Sequence, residues 1–126
     1  MSFTNTFETT VLTWAFTTGS ATRPTEWYTA LYTVAPDDTG GGTEVSGGGY
    51  ARQDTAFTVS GNTATNSAAE EWPVATAAYG TVVAVGVFDA ATGGNLLAYA
   101  NLTASKTIDT GDVFRIPAGD LDITLD

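Results

Sequence analysis

Gly40-Gly41-Gly42-Thr43-Glu44-Val45-Ser46-Gly47-Gly48-Gly49-Tyr50-Ala51-Arg52-Gln53 divides the chain into two unlike parts. Two triple-glycine runs flank a Thr-Glu-Val-Ser stretch, and the segment closes on an aromatic ring and an arginine. Glycine tolerates positive φ and lets backbones pass closely, but a run of three holds one conformation only when something outside it grips it. Upstream, the apolar spacing is first helical and then strand-like; downstream it has a period of two. The stretch is a joint inside one domain, and the fold it joins is a helix and a strand followed by many short strands.

Upstream of the joint, Phe3, Phe7, Val11 and Trp14 stand at helical steps, with Leu12 and Phe16 beside them, which predicts an amphipathic helix over 2–18. Ser2 or Thr4 can cap its start, Glu8 sits near the positive helix end, and Gly19 can stop it. Threonine is a weak helix former, so packing of the aromatic face must hold this segment. Core is the ordinary destination for such a face, and a partner is the alternative. Residues 26–34 form a strand with apolar groups on both sides, the pattern of a central strand covered by the core on one face and by a helix or neighbouring subunit on the other. The connection over 35–49 opens with the turn-forming Pro36-Asp37-Asp38 and runs through the glycines; unstructured loops of that length are usually functional or disordered.

Downstream, 56–60 and 63–66 around Gly61-Asn62 read as a hairpin with a two-residue turn. Glu70-Glu71-Trp72-Pro73 reads as an edge or a strand end, because proline cannot donate to a ladder. Residues 81–89, with Val82, Val83, Val85, Val87 and Phe88, form the most apolar strand and the centre of the core. Segments 96–102, 106–108, 113–116 and 121–125 complete the set, the last alternating Leu121, Ile123 and Leu125 with Asp122, Thr124 and Asp126. The expectation is one domain over 1–126, mainly β: an antiparallel β-sandwich or jelly-roll-like domain of about seven to nine short strands, in 26–34 and 50–126, with one N-terminal amphipathic α-helix.

Composition narrows the chemistry. The chain has neither cysteine nor histidine, so disulfides, thiolate metal sites and imidazole bases are out of reach. Fourteen Asp plus Glu against four Lys plus Arg give a net charge of −10, a field that repels phosphate backbones and anionic membranes. No apolar run approaches the ~20 residues of a bilayer span, and the N-terminus lacks a basic start followed by an apolar core. The expectation is therefore no nucleic-acid partner, no membrane, no cofactor, no metal and no catalysis. Asp37-Asp38 and Asp120 with Asp122 lack the alternating spacing of a calcium loop and read as solvated carboxylates. Glu70 and Glu71 beside Trp72 resemble a glycosidase carboxylate next to a sugar platform, yet neighbours on a strand point to opposite faces and cannot flank one bond. Sugar binding without hydrolysis stays open. Arg52 and Arg115 are expected in ion pairs, inside the domain or with a partner's carboxylate.

The order of features resembles a family of small tailed-bacteriophage virion proteins, often labelled tail-fibre proteins, some of which are similar to capsid decoration or cement proteins. The resemblance runs nearly end to end. Its most specific blocks are Gly42-Thr43-Glu44-Val45-Ser46-Gly47 through Tyr50-Ala51-Arg52-Gln53, and Val87-Phe88-Asp89-Ala90 with Gly93-Gly94-Asn95-Leu96-Leu97. The opening helix, Tyr28-Thr29-Ala30-Leu31-Tyr32-Thr33, Pro36-Asp37-Asp38, Asn66, Trp72-Pro73, Tyr79-Gly80-Thr81-Val82, Gly111-Asp112 and Ala118-Gly119-Asp120-Leu121 also match.

The resemblance implies a non-enzymatic virion structural role. Joined to the acidic charge, it gives the expectation of a capsid decoration protein on the outer surface of the head, bound to the major capsid protein as a homotrimer and assembled in the host cytoplasm. The alternative is a tail-fibre or tail-tip module involved in host receptor binding, and an isolated enzyme or inhibitor domain is the third reading. Thr43, Glu44, Val45, Ser46, Tyr50 and Arg52 are the expected partner-binding set. Phe7, Trp14, Trp27, Tyr28 and Tyr32 are the expected oligomer or core aromatic face.

Overall fold

The computed structural model describes residues 1–125; Asp126, expected as the last outward residue of the final strand, lies outside them. Strand β1 (Ser2–Phe3) and helix α1 (Asn5–Phe16) open the chain, followed by β2 (Tyr28–Val34), β3 (Thr43–Glu44), β4 (Gln53–Asp54), β5 (Phe57–Ser60) and β6 (Thr63–Asn66). Then come β7 (Glu70–Glu71), β8 (Gly80–Phe88), β9 (Leu96–Ile108), β10 (Arg115–Ile116) and β11 (Asp122–Thr124). The main sheet has the order β1-β9-β8-β2-β3, with β4 also on β2; β11-β6-β5 and β10-β7 form two smaller sheets, and the named pairings are all antiparallel. The mainly β, antiparallel class with one helix near the N-terminus is the expected one. The strands outnumber the expectation because several are two-residue ladders that no periodicity can announce.

Strand β8 lies between β9 and β2, where its run of valines belongs. Its alternate residues serve two clusters. Val82, Val85 and Val87 join Leu31, Val45, Trp72, Ile108, Phe114 and Leu121 in the main core, beneath the smaller sheets. Ala84 and Phe88 face the other way with Ala30 and Tyr32, and Leu96 packs on them. On that second face Tyr32 and Phe88 stack 6.5 Å apart, with Leu96 packed against them. Gly86 makes room for it, since a Cβ there would meet Leu96 Cδ1 at 2.7 Å and Tyr32 Cε2 at 2.9 Å.

The hairpin β5–β6 has the expected register, Phe57 opposite Asn66 and Ser60 opposite Thr63. Segments 96–102 and 106–108, expected as separate strands, are one strand, β9, bulged where its pairing to β8 jumps from Asn101 opposite Ala84 to Lys106 opposite Val82. Asn66 ties the smaller sheet together from inside: fully buried, it donates to Ala68 O and Pro117 O and accepts from the amides of Gly119 and Leu121. Four bonds on one buried amide satisfy it nearly completely, so its burial is not a penalty.

Candidate interaction surface

The expected partner-binding set turns largely inward, because β2 has an edge that must be closed. Strand β4 pairs with Tyr28 and Thr29, and β3 pairs with Tyr32 and Val34, which leaves the main-chain groups of Leu31 between them. The Val45 amide donates to Leu31 O at 2.9 Å, and the Tyr50 hydroxyl accepts from the Leu31 amide at 3.0 Å. The same hydroxyl donates to Glu44 Oε2 at 2.7 Å. Arg52 then grips both oxygens of Glu44, donates to Ala90 O and Gly93 O, and lays its guanidinium 3.5 Å from the centre of the Phe88 ring. A buried backbone group needs such a partner, and a planar fork stacked on an aromatic and paired bidentately is the geometry arginine favours.

Electrostatics follow the packing. Burial and the Glu44 carboxylate push the Tyr50 phenol well above its ordinary value, and burial, with Glu44 second, pushes Tyr32 up to about 12. Both stay neutral at any physiological pH, and Tyr50 remains a donor to Glu44.

The connection over 35–49 is thus ordered by the chain itself, and its glycines are what allow it. Gly42 and Gly48 have φ of 71° and 62°, and a Cβ on them would meet Val34 O at 2.6 Å and Ala77 O at 2.5 Å. The Gly48 carbonyl accepts from the Thr76 amide at 2.9 Å. Of the expected set, Val45 is core, Glu44, Tyr50 and Arg52 form the brace, and only Thr43 and Ser46 stay exposed.

The aromatic set also divides. Tyr32 is buried, Trp27 packs on the main core, and Tyr28 is half-buried in β2 opposite Phe88. The helix departs most from expectation. It covers Asn5–Phe16 rather than 2–18, because Ser2–Phe3 pairs with Tyr99 and Ala98 of β9, and Thr4 caps it by accepting from the Phe7 amide. The Thr4 hydroxyl also donates to Leu96 O, and the Asn5 amide to Asp38 O, so the first turn is pinned to the sheet. Tyr99 donates to Asp38 as well, and that hydrogen bond, ahead of burial, pushes the phenol up to about 12.

Beyond its cap, no residue of the helix is buried. At about 100° per residue, Phe7, Val11, Trp14, Ala15, Leu12 and Phe16 share an arc of roughly 200° interrupted by Glu8, with the threonines opposite. Thr6, Phe7, Thr9, Thr10 and Thr13 line a cavity of ≈ 300 Å³ shared with Leu96 and Leu97, and of these Phe7, Thr10 and Thr13 are half-buried. Phe7, at 4.8 Å from the Phe3 ring, Val11 and Trp14 border a second groove of ≈ 390 Å³ against Ala21 and Pro24. The largest apolar side chains point out: Leu12, Trp14 and Phe16 are 57%, 74% and 80% exposed. The expectation that this face is core is therefore corrected: Phe7 and Val11 are only half-buried, as are Thr10 and Thr13, and Leu12, Trp14 and Phe16 lie open.

The carboxylates gather no metal-binding group among the described residues. Glu70 is buried and Glu71 exposed, on opposite sides of β7. Arg115 is exposed and without an ion pair among the described residues, while Arg52 pairs within the domain.

Residues 2–124 match the family model described as podophage GP4 fiber I protein gp80. The chain belongs to this family. A comparison with curated proteins gave no match. The podophage fibre I family places the chain among phage virion structural proteins, as the resemblance implied, and its description speaks of fibre rather than of capsid decoration.

Proposed function

We propose that the chain is a non-catalytic module of a bacteriophage fibre, carried at the tail and taking part in attachment to the host. The observation that supports this is the outward apolar arc of α1 on a chain whose family is described as fibre I. A fibre module must dock on other virion chains, and a cluster of exposed large apolar side chains on one short helix is how a protein surface marks such a site. The net charge of −10 suits a position outside the packaged genome.

The same charge favours a second reading, decoration of the outer capsid surface through the major capsid protein, and the two are separated by imaging. Intact particles carrying this protein with a label are examined at low resolution. Signal at the tail supports the fibre module; signal spread over the head facets replaces it with decoration.

A further inference from the structure

We infer that the cleft between α1 and the segment 20–24 is a binding site for a neutral saccharide, with one sugar ring held among Arg23, Asp89, Asn95 and Thr13 and the next laid on Trp14. The inference rests on the reading of the chain as an attachment module. Its test uses free protein and free sugar, so it fails independently of where on the particle the chain sits.

The polar compartment comes first. At ≈ 300 Å³ the cavity that the helix shares with Leu96 and Leu97 is at the small end of ligand pockets, the size class of one sugar ring. Asp89 and Asn95, which line it, are locked together. Asp89 Oδ1 accepts from the Asn95 amide at 2.7 Å, Oδ2 accepts from Asn95 Nδ2 at 3.0 Å, and the Asp89 amide donates back to Asn95 O. Gly94 permits the closure, since its φ is 72° and a Cβ there would meet Asp89 Oδ1 at 2.5 Å. The clamp uses one hydrogen of the Asn95 side chain and leaves its carbonyl oxygen and second hydrogen unspent, an acceptor and a donor side by side on a fixed group. Two adjacent sugar hydroxyls, each able to donate and accept, are the complement of that arrangement.

The helix contributes hydroxyls to the same cavity. Thr9 and Thr10 donate theirs to the carbonyls of Asn5 and Thr6 and so offer oxygens as acceptors, whereas the hydroxyls of Thr13 and Ser20 have no partner among the described residues. Threonine is a poorer helix former than alanine, so a wall that merely spaced the helix from the sheet would be better built of alanine. Hydroxyls are what the threonines add.

Charge selects the kind of sugar. Arg23 is exposed, lines both grooves beside the helix, and has neither an ion pair nor a hydrogen bond among the described residues, which leaves five donors unspent. Its charge is matched within the cavity by that of Asp89, while the chain as a whole, at −10, repels a ligand bearing phosphate or carboxylate. A neutral, polyhydroxylated ligand is the one this lining favours.

The second groove, of ≈ 390 Å³, shares Phe7, Thr22 and Arg23 with the first and adds Val11, Trp14 and Pro24. A sugar ring has a rim of hydroxyls and an apolar C–H face. The face can cover the indole of Trp14, which is 74% exposed, while the rim reaches the Arg23 guanidinium. Trp72, the ring beside which sugar binding stayed open in the sequence, is 1% exposed and offers no such platform.

The full chain, labelled with nitrogen-15, is titrated with maltose, cellobiose, lactose and di-N-acetylchitobiose, and separately with glucose and with glucuronate. We expect at least one neutral disaccharide to shift the Asn95 side-chain, Arg23 Nε and Trp14 Nε1 signals along one binding curve, with a Kd on the order of 1 mM, while the signals of Trp27 and Trp72 stay fixed. Arg23→Gln should weaken that binding about tenfold, and Thr13→Val severalfold, at unchanged melting temperature, since neither side-chain polar group has a partner to lose among the described residues. Trp14→Ala should bring the disaccharide down to the weaker binding of glucose, and Arg115→Gln, outside the cleft, should bind as the wild type does. No shift from any of the neutral sugars at about 100 mM overturns the inference. Binding of glucuronate alone overturns the neutral class, and shifts that persist undiminished in Arg23→Gln overturn the site. None of these results alters the labelled-particle image, which alone decides the reading as a fibre module.

Discussion

Arg52 holds both carboxylate oxygens of Glu44, Nε to Oε2 at 2.9 Å and Nη2 to Oε1 at 2.8 Å, with the two side chains only 9% and 25% exposed. The pair closes the second face of the sheet over Phe88 and fixes the hydroxyl of Tyr50, which in turn satisfies Leu31. Removing one member of a largely buried pair strands the other. Arg52→Ala should therefore cost about 3 kcal/mol in urea unfolding, at the low end for a buried pair because Glu44 keeps some solvent. Replacing Glu44 and Arg52 together by leucine should cost less than the sum of the single changes. Strict additivity would show that the two side chains act separately.

The glycine connection makes a sharper contrast. Gly47 and Gly48 both have positive φ, 75° and 62°, but a Cβ on Gly47 meets open space while one on Gly48 meets Ala77 O at 2.5 Å. Gly47→Ala should cost ~1 kcal/mol for the left-handed backbone alone. Gly48→Ala adds a backbone clash that no side-chain rotation relieves, and we expect ~3 kcal/mol or more. Equal melting temperatures for the two variants would mean that the segment is not held by the chain.

These two cases mark how far the sequence could be read. The period of two downstream of Tyr50, the valine run of β8 and the Gly61-Asn62 turn each announce a local geometry, and the structure carries all three. The role of the glycine connection was not legible. Its order depends on Leu31 and Ala77, residues distant in sequence whose unpaired main-chain groups and close approach only the folded sheet creates. The helix shows a different limit. Phe7, Val11 and Trp14 have helical spacing whether they face a core or a partner, and periodicity names the stripe without naming its side.

Glu70 supplies a pH-dependent test. It is buried beside Asp54, and burial first, then the Asp54 charge, raises its carboxyl above the ordinary value of 4.5, against the lowering influence of the nearby Thr55 hydroxyl. A carboxyl with a raised folded pKa binds its proton more tightly in the native state than in the unfolded one. Stability from this group is therefore full at acid pH and falls as pH rises from about 4.5 through the folded pKa. Glu70→Gln should leave the melting temperature unchanged near pH 4 and raise it at pH 7. A variant that melts lower at pH 7 would mean that the charged form is the one the fold accommodates.

Amide exchange tests the brace and the helix in one measurement. The Val45 amide donates to Leu31 O beneath a core side chain, so it opens only when the main sheet opens. It should exchange slowly in the free chain at any protein concentration, close to the global unfolding limit. Beyond its first turn, α1 has a threonine-rich sequence and no buried residue, and twelve residues are too few for a helix to be stable alone. Its amides from Thr10 onward should exchange fast in dilute protein. If copies meet through the helix, protection there must rise with protein concentration by mass action while Val45 stays as it was. Fast exchange at Val45 would return the 35–49 connection to the role of a loop ordered by a partner. Protection of α1 that is high and independent of concentration would mean that contacts within one chain are enough to hold the helix to the sheet.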